Sequence, residues 1–554
     1  MTSVVTAGGV SVTIRGVVVD ESETVLDRLA SDGVPGSLMA KNANLWGPDA
    51  APEAGRRLGW LDLPEASRPL LARLAELTGE ARGAGLDHVV LAGMGGSSLA
   101  AEVIARTAGA DLTVLDTTDP HQVAAALRDR LERTIVVVSS KSGGTVETDA
   151  LRRIYESAFR EAGIGDEDRK RRFVVITDPG SPLAAVAEEA GYRLVLADPD
   201  LGGRFSALSA FGLVPAALAG VDVAQLLDDA ARLVPVLRQP YDNPGLALGA
   251  VLGGSAISGR DKLVIADHGS GLTGFGEWAE QLVAESTGKD GKGLLPVVVD
   301  SVDDPGFTLT GDVRRVVLGA RPDQPGPARE AGLTVTGPLG AQFLLWEYAV
   351  AVAGRVLGVN PFDQPNVQES KDNTAALLRV EEGGAPTVIH TAPAMVSGVV
   401  EVHGPDSLLK DAKDLRGALE AILEAAPDQG YLAVLAYLDR AGDADLARVR
   451  PLLAELGGKV RKNPVAVTFG WGPRFLHSTG QYHKGGPQKG AFVQVTGVVG
   501  EDVAVPGRPY TLGQLQLAQA FGDLRVLRSR GRPAVRLHLR DRAEGIAQLL
   551  AALT

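Results

Sequence analysis

The stretch 139–148, SSKSGGTVET, concentrates hydroxyl side chains and glycines in one short segment. It follows a β-branched run and precedes a helical pattern, which predicts a strand, a loop and the first turn of a helix. Free backbone N–H groups and the positive end of the helix dipole meet at such a place, and the glycines let the backbone approach an anion. A hydroxyl-rich helix cap is the alternative. The number of donors favours a phosphate site formed by Ser140, Lys141, Ser142 and Thr145.

Three further segments place polar groups beside predicted loops. Residues 93–98, GMGGSS, follow a β-prone run, but they lack the third spaced glycine of a dinucleotide turn. Arg204 lies between glycines and a hydroxyl, where it can reach a phosphate or sugar or form a surface turn. Gln281 and Glu285 are four residues apart and share one face of a predicted helix, so Glu285 can point into a cleft.

The C-terminal half contains a polar loop with two histidines, His477 and His483. Their separation of six residues matches neither a helix nor a strand spacing, so the pattern does not predict a shared metal. A structural or surface histidine is the alternative for each. Upstream, the turn-rich segment 360–371 contains Gln364 and ends with Lys371 near the start of another predicted helix.

Length and composition restrict the class of protein. A chain of 554 residues is too long for one core and suggests three or four domains. The net charge of −13 argues against nucleic acid and anionic membranes as partners, and the absence of cysteine excludes thiol chemistry. The apolar segments 205–221 and 339–359 contain polar residues and are predicted to be buried helices. We expect no signal peptide, because no basic segment precedes an apolar one.

Strands and helices alternate over most of the chain after residue 88. This pattern predicts an α/β protein with doubly wound parallel sheets, and both glycine-rich loops then lie at the carboxyl ends of strands, where such sheets bind ligands. A second α/β unit is predicted over 245–370 and a third begins after about residue 415. Residues 372–415 are predicted to be a connection. Residues 1–80 are the least regular part.

Together these motifs resemble the phosphoglucose isomerase family, whose members interconvert glucose 6-phosphate and fructose 6-phosphate. Five motifs occur in the family's order within about residues 80–371, namely 93–98, 139–148, 202–206, 281–289 and 362–371. The resemblance implies two doubly wound sugar isomerase (SIS) domains. We assign them to residues 81–235 and 236–371, with 1–80 packed on this core and an additional C-terminal α/β region over 372–554.

The resemblance also implies roles for individual residues. Glu285 would be the base of a cis-enediol(ate) mechanism, Arg204 would stabilise the enediolate, and His477 and Lys371 would open the sugar ring. The implied substrate-binding residues are Gly96, Ser97, Ser98, Ser140, Lys141, Ser142, Thr145, Gln281 and Gln364. No metal or organic cofactor is implied. A hexose 6-phosphate substrate, a homodimer and a cytoplasmic location are expected.

Two departures from the family pattern concern the same site. Residues 366–368 read Asn-Val-Gln where the family has Gly-Val-Glu, and no histidine occurs from Lys289 to Lys371, where the ring-opening histidine normally lies. The segment 476–481, LHSTGQ, resembles the histidine loop of shorter bacterial members, and 372–554 resembles the C-terminal part of transaldolase fusions. We therefore hypothesise that a relocated segment returns His477 to the cleft, or that a second subunit supplies it.

Three alternative functions remain open. A dual-specificity glucose/mannose-6-phosphate isomerase would differ in tolerance at C2. An amino-sugar phosphate isomerase would need an ammonia or glutamine site, and a thiol glutaminase is excluded. A non-catalytic sugar-phosphate-binding SIS protein would leave Glu285 and Lys371 without a task, and the chain lacks a basic helix-turn-helix stretch.

Overall fold

The computed structural model describes residues 1–308, 310–321, 332–378 and 392–554. Three sheets organise these residues, and the predicted α/β class with parallel sheets is confirmed. No helix in the described ranges combines the length and apolar character needed to span a bilayer. Part of the predicted connection, residues 379–391, lies outside the described residues.

The N-terminal segment consists of a hairpin followed by short helices. Strand β1 (Thr2–Ala7) pairs antiparallel with β2 (Val10–Arg15), whose alternate residues are buried, as expected for a strand with one face on a core. The helices that follow are α1 (Val17–Ser31), α2 (Val34–Met39), α3 (Ala51–Ala54), α4 (Leu63–Ala66) and α5 (Leu70–Gly83). The irregular appearance of this region in sequence reflects these short helices and intervening turns.

The first sheet is five-stranded and parallel. Its strands are β3 (His88–Gly93), β4 (Leu112–Leu115), β5 (Thr134–Ser139), β6 (Phe173–Thr177) and β7 (Arg193–Leu196). Its helices are α6 (Leu99–Ala108), α7 (Pro120–Arg128), α8 (Val146–Glu161), α9 (Asp166–Arg171) and α10 (Pro182–Ala190). The order β4-β3-β5-β6-β7 makes β3 and β5 neighbours, so the two glycine-rich loops that follow them lie side by side at the carboxyl edge.

Three helices lead into the second sheet: α11 (Ala210–Leu218), α12 (Ala224–Leu233) and α13 (Pro244–Ile257). The second sheet contains β8 (Lys262–His268), β9 (Leu295–Val299), β10 (Val313–Gly319) and β11 (Leu333–Thr336), with helices α14 (Phe275–Thr287) and α15 (Leu339–Leu357). Its order is β1-β2-β11-β10-β8-β9, so the N-terminal hairpin extends this sheet. Helix α15 is almost wholly buried, which confirms the predicted core helix.

The third sheet has the order β12-β13-β17-β16-β14-β15. After α16 (Gln368–Leu378), its elements are β12 (Met395–Ser397), β13 (Val400–His403), α17 (Asp406–Leu409), α18 (Leu415–Ala425), β14 (Tyr431–Tyr437), α19 (Val449–Val460), β15 (Ala466–Trp471), α20 (Gly480–Gly485), β16 (Gly490–Gly497), α21 (Leu512–Ser529), β17 (Ala534–Leu539) and α22 (Arg542–Leu553). Residues 372–415 were predicted to be a connection. This prediction is wrong for the described part, which contains the end of α16 and the elements β12, β13 and α17. Strands of three and four residues are too short to show a period-two pattern.

Candidate active site

The predicted phosphate loop joins β5 to α8 at the carboxyl edge of the first sheet. The Ser140 and Thr145 hydroxyl oxygens are 3.0 Å apart, and Thr145 occupies the N-cap position of α8 without capping a backbone N–H. Ser142 is exposed. The Lys141 ammonium instead pairs with Asp178, 2.7 Å away at the end of the neighbouring strand. Lys141 therefore anchors the loop, whereas the hydroxyls and the helix N-terminus are the groups available to an anion.

The loop 93–98 brings other segments together because it has glycines. A Cβ at Gly96 would lie 2.0 Å from the Gly203 carbonyl oxygen, and one at Gly95 would lie 2.8 Å from both the Gln281 amide and the His477 carbonyl. Gly95 also has a φ of +56°, which other residues rarely adopt. The glycines thus permit four segments to meet. Ser97 and Ser98 are buried in the same loop.

Arg204 is buried and connects helix α14 to the turn after α15. Its guanidinium donates to the Ser286 hydroxyl at 2.8 Å and to the Gln364 side chain at 2.9 Å. It also donates to the Pro361 and Asp363 carbonyl oxygens. Burial lowers the pKa of Arg204, although the neighbouring carboxylates oppose this. The guanidinium is therefore rigidly held beside Glu285, 3.4 Å from Oε2.

Glu285 lies in the last turn of α14 and is 7% exposed. Burial raises the pKa of its carboxyl above the usual 4.5, and the nearby Arg204 charge offsets only part of that effect. The Gln281 amide lies 3.3 Å from Glu285 Oε2 and donates to the His477 carbonyl at 2.8 Å. The spacing of four residues noted in the sequence therefore serves to hold the carboxylate and the histidine loop together.

His477 enters the cluster from the third sheet of the same chain. Its Nε2 is 3.1 Å from Glu147 Oε1, in the first turn of α8, and Gln519 donates to the same oxygen at 2.7 Å. Burial opposes ionisation of Glu147, yet the His477 imidazole lowers the pKa of the carboxyl. The exposed Lys371 ammonium adds a smaller effect of the same sign. Glu147 therefore acts as a charged acceptor that orients the imidazole.

A buried ion cluster holds the histidine loop on the first sheet. Arg474, three residues before His477, lies 2.6 Å from carboxylate oxygens of both Glu102 and Asp116. Arg440 pairs with Glu102 at 2.9 Å. Burial by itself would raise the pKa of the Glu102 carboxyl, but the two arginines outweigh this effect and lower the pKa to about 2. The cluster fixes the position of His477 through contacts within this chain.

Three residues that contact the predicted site residues or lie beside them were not among the sequence predictions, namely Glu147, Lys289 and Gln519. Glu147 belongs to the loop segment, where an acid in the first helical turn is normally explained by the helix dipole. Lys289, read as part of a helix stop, is buried and donates to the Asn360 carbonyl and the Asp363 side chain; burial lowers its pKa to about 8. Gln519 carries no motif. Only the fold reveals these partners.

The described residues contain no group of three or more histidine and acidic side chains arranged to hold a metal ion. The predicted residues nevertheless converge: Gly96, Arg204, Gln281, Glu285, Gln364 and His477 form one connected set beside the Ser140–Thr145 hydroxyl pair. Such a set can hold an anion and contains a buried base, a fixed cation and an oriented imidazole.

Comparison with known proteins agrees with this arrangement. A family model described as phosphoglucose isomerase matches residues 73–292. A probable glucose-6-phosphate isomerase of Haloarcula marismortui is 31% identical over 369 residues, covering 57% of this chain and 83% of that protein. A glucose-6-phosphate isomerase of Thermosynechococcus vestitus is 30% identical, covering 65% of this chain and 83% of that protein.

Two solved structures share the fold. A hypothetical protein from Thermus thermophilus has a TM-score of 0.56 at 25% identity, covering 68% of this chain and 99% of that one. A glucose-6-phosphate isomerase from Chlamydia trachomatis has a TM-score of 0.52 at 20% identity, covering 67% and 89%. With the sequence matches, these findings show that the chain belongs to the phosphoglucose isomerase family.

Proposed function

We propose that this chain interconverts glucose 6-phosphate and fructose 6-phosphate by proton transfer between C1 and C2. The observation that carries the proposal is the convergence of Glu285, Arg204 and His477 from distant parts of the chain into one cluster. Family membership supplies the reaction class. The geometry of the cluster supports the chemical task that we propose for each residue.

The phosphate loop would hold the 6-phosphate. The Ser140, Ser142 and Thr145 hydroxyls and the backbone N–H groups at the start of α8 are the donors. Lys141 strengthens this site indirectly by fixing the loop through Asp178. Anchoring one end of the sugar would place C1 and C2 against the cluster around Glu285.

Ring opening requires a proton at the ring oxygen and removal of one from the C1 hydroxyl. The imidazole of His477, oriented by the Glu147 carboxylate, is the proposed acid–base group for this step. Lys371 is the proposed second participant, and its charge already influences Glu147 in the absence of substrate.

Isomerisation requires a base that removes the C2 proton and returns it to C1 through a cis-enediolate. Glu285 is that base, because burial raises the pKa of the carboxyl and so strengthens it as a proton acceptor. The Arg204 guanidinium would stabilise the negative charge of the enediolate. The acid limb of kcat/KM should therefore lie above the usual carboxyl value of 4.5.

The deciding experiment measures conversion of fructose 6-phosphate to glucose 6-phosphate through a coupled dehydrogenase. Glu285→Gln keeps the shape of the side chain but removes the base, so kcat should fall at least ~10²-fold while substrate still binds. Glu277→Gln, on an exposed position of the same helix, is the matched control and should keep near wild-type turnover. Normal turnover by Glu285→Gln would refute the assignment.

The same assay separates the alternatives. Conversion of mannose 6-phosphate would establish dual specificity, and binding without turnover would support a sugar-phosphate sensor. A homodimer and a cytoplasmic location remain predictions. Because His477 reaches the cluster from the same chain, a monomeric enzyme should be active, which mass measurement at assay concentration can test.

A further inference from the structure

A cavity of about 350 Å³ lies beside the phosphate loop and away from His477. Ser140 and Thr145 form the end of the cavity that it shares with the loop. Helix α8 contributes one wall, helix α10 contributes another, and the loop between β16 and α21, which contains Arg508 and Tyr510, closes the third side. The cavity therefore extends the anion site along α8 and has no part in the proposed proton transfers.

Three arginines line this cavity, Arg152, Arg153 and Arg508. All three donate to Asp149, at 2.8, 2.8 and 2.7 Å, and Arg152 also lies 3.2 Å from Glu156. The three guanidinium groups thus share two carboxylates, and Glu156 also lies 3.5 Å from Arg160 further along α8. A single aspartate cannot use all the donors that three guanidinium groups offer.

Two buried polar atoms of residues that line the cavity have no hydrogen-bond partner among the described residues. They are the hydroxyl of Thr148, a residue that is 2% exposed, and Nε of Arg152, a residue that is 6% exposed. Both residues line the cavity. Leaving buried donors unpaired is costly, and an oxyanion in the cavity would accept hydrogen bonds from them once the two side chains turn toward it, because both atoms are closed off from solvent in this structure.

We infer that this cavity binds a second small, multiply charged oxyanion of the phosphate or pyrophosphate class. Because Ser140 and Thr145 border both sites, the occupant competes with the 6-phosphate of the substrate for the loop. Arg508 lies in the loop between β16 and α21, so the C-terminal α/β region contributes a donor to the cavity and closes it. The inhibitory consequence rests on the proposed isomerase function, whereas binding does not.

The test uses pyrophosphate with the full-length chain, by calorimetry and by inhibition of fructose 6-phosphate turnover. Arg153→Gln with Arg508→Gln removes two charge-assisted donors and should weaken both the dissociation constant and the inhibition constant by ~10-fold or more, with KM little changed. Asp149→Asn removes the competing carboxylate and should tighten both. Arg171→Gln, which changes an exposed arginine of α9 that does not line the cavity, is the control.

Three outcomes would overturn the inference: no binding of pyrophosphate to the wild-type chain, binding only at the substrate loop so that the arginine substitutions change neither constant, or weaker binding by Asp149→Asn. Arg508→Lys, which keeps the charge, should retain part of the affinity and guards against a folding defect. If the chain fails to turn over fructose 6-phosphate, calorimetry still tests the cavity.

Discussion

The second and third sheets have the same topology but contribute differently to the site. In each, a hairpin adds antiparallel to a parallel set, giving β1-β2-β11-β10-β8-β9 and β12-β13-β17-β16-β14-β15. In each, a helix joins the first and second parallel strands, α14 in one and α19 in the other. The third region is therefore a structural repeat of the second.

The difference lies in two connections. After β15 and before β16, the chain contains Arg474, His477 and Gln481, and it reaches the cluster around Glu285. The equivalent connection after β9 contains Asp300 and Asp304, which bind Arg450 of α19. One connection supplies an imidazole and the other supplies a docking site for the repeat.

The repeat carries the histidine loop that is absent between Lys289 and Lys371. The family's histidine loop is missing from that interval, while a similar segment occupies the equivalent connection of the repeat. A shared core that includes Val299, Tyr437 and Phe475 stacks the two sheets. Identical topology therefore allowed the loop to return to the cleft from a later position, which supports the relocation hypothesis.

The largest expected effect tests the histidine loop of the repeat. His477→Ala should lower kcat by ~10²- to 10⁴-fold with ring-closed substrate, because ring opening loses its acid–base group. The loss should be smaller with an open-chain analogue. The measurement compares both substrates by stopped-flow and coupled assay. Equal losses would mean that His477 acts in isomerisation itself and not in ring opening.

The next effect tests how the repeat docks on the first sheet. Arg474→Met leaves the buried Asp116 carboxylate without this partner and Glu102 with Arg440 alone, so we expect a loss of ~3–5 kcal/mol in the free energy of unfolding together with lower kcat. Urea denaturation and the coupled assay measure these two quantities. Adding Glu102→Gln and Asp116→Asn should recover much of the stability but not the activity.

Docking on the second sheet should affect stability alone. Arg450→Met removes the partner of the buried Asp304, and we expect a loss of ~1–3 kcal/mol in the free energy of unfolding with kcat near wild type. The informative quantity is the difference in kcat between Arg450→Met and Arg474→Met, because of these two arginines only Arg474 lies close to His477 in sequence, three residues before it. A matching fall in kcat would show that the two docking contacts are coupled.

The smallest expected effect compares α15 with its equivalent α22. Burial raises the pKa of Glu347 in α15 well above 4.5, so the folded protein keeps this carboxyl protonated while the unfolded chain ionises it. Stability due to this group is therefore lost as pH rises above the unfolded pKa. Urea denaturation should show that the free energy of unfolding of Glu347→Gln exceeds that of wild type by more at pH 8 than at pH 5. Glu544→Gln, exposed in α22, should show no such difference.

Much of the secondary structure follows from local sequence. The apolar, β-prone runs 134–138, 313–318 and 534–539 predict strands, because buried parallel strands carry continuous apolar runs. Strands β5 and β10 extend the first two ranges by one residue, and β17 matches the third. The alternation over residues 10–19 predicts one or two strands and β2 lies within it, whereas β1 and the short strands β12 and β13 were not predictable in the same way. Each hairpin joins its sheet through one distant strand, β11 for β2 and β17 for β13, and that pairing decides whether such segments become strands.

The sequence by itself determined the chemical groups of the site and their local placement: hydroxyls and glycines before a helix, a glutamate near the end of another, and an arginine between glycines. Only the tertiary structure decided which of these groups meet. The Glu147–His477 pair joins residues 330 positions apart, and Lys141 turns to Asp178. Local propensity cannot encode such contacts, because they depend on the stacking of whole sheets and on buried ion pairs between them.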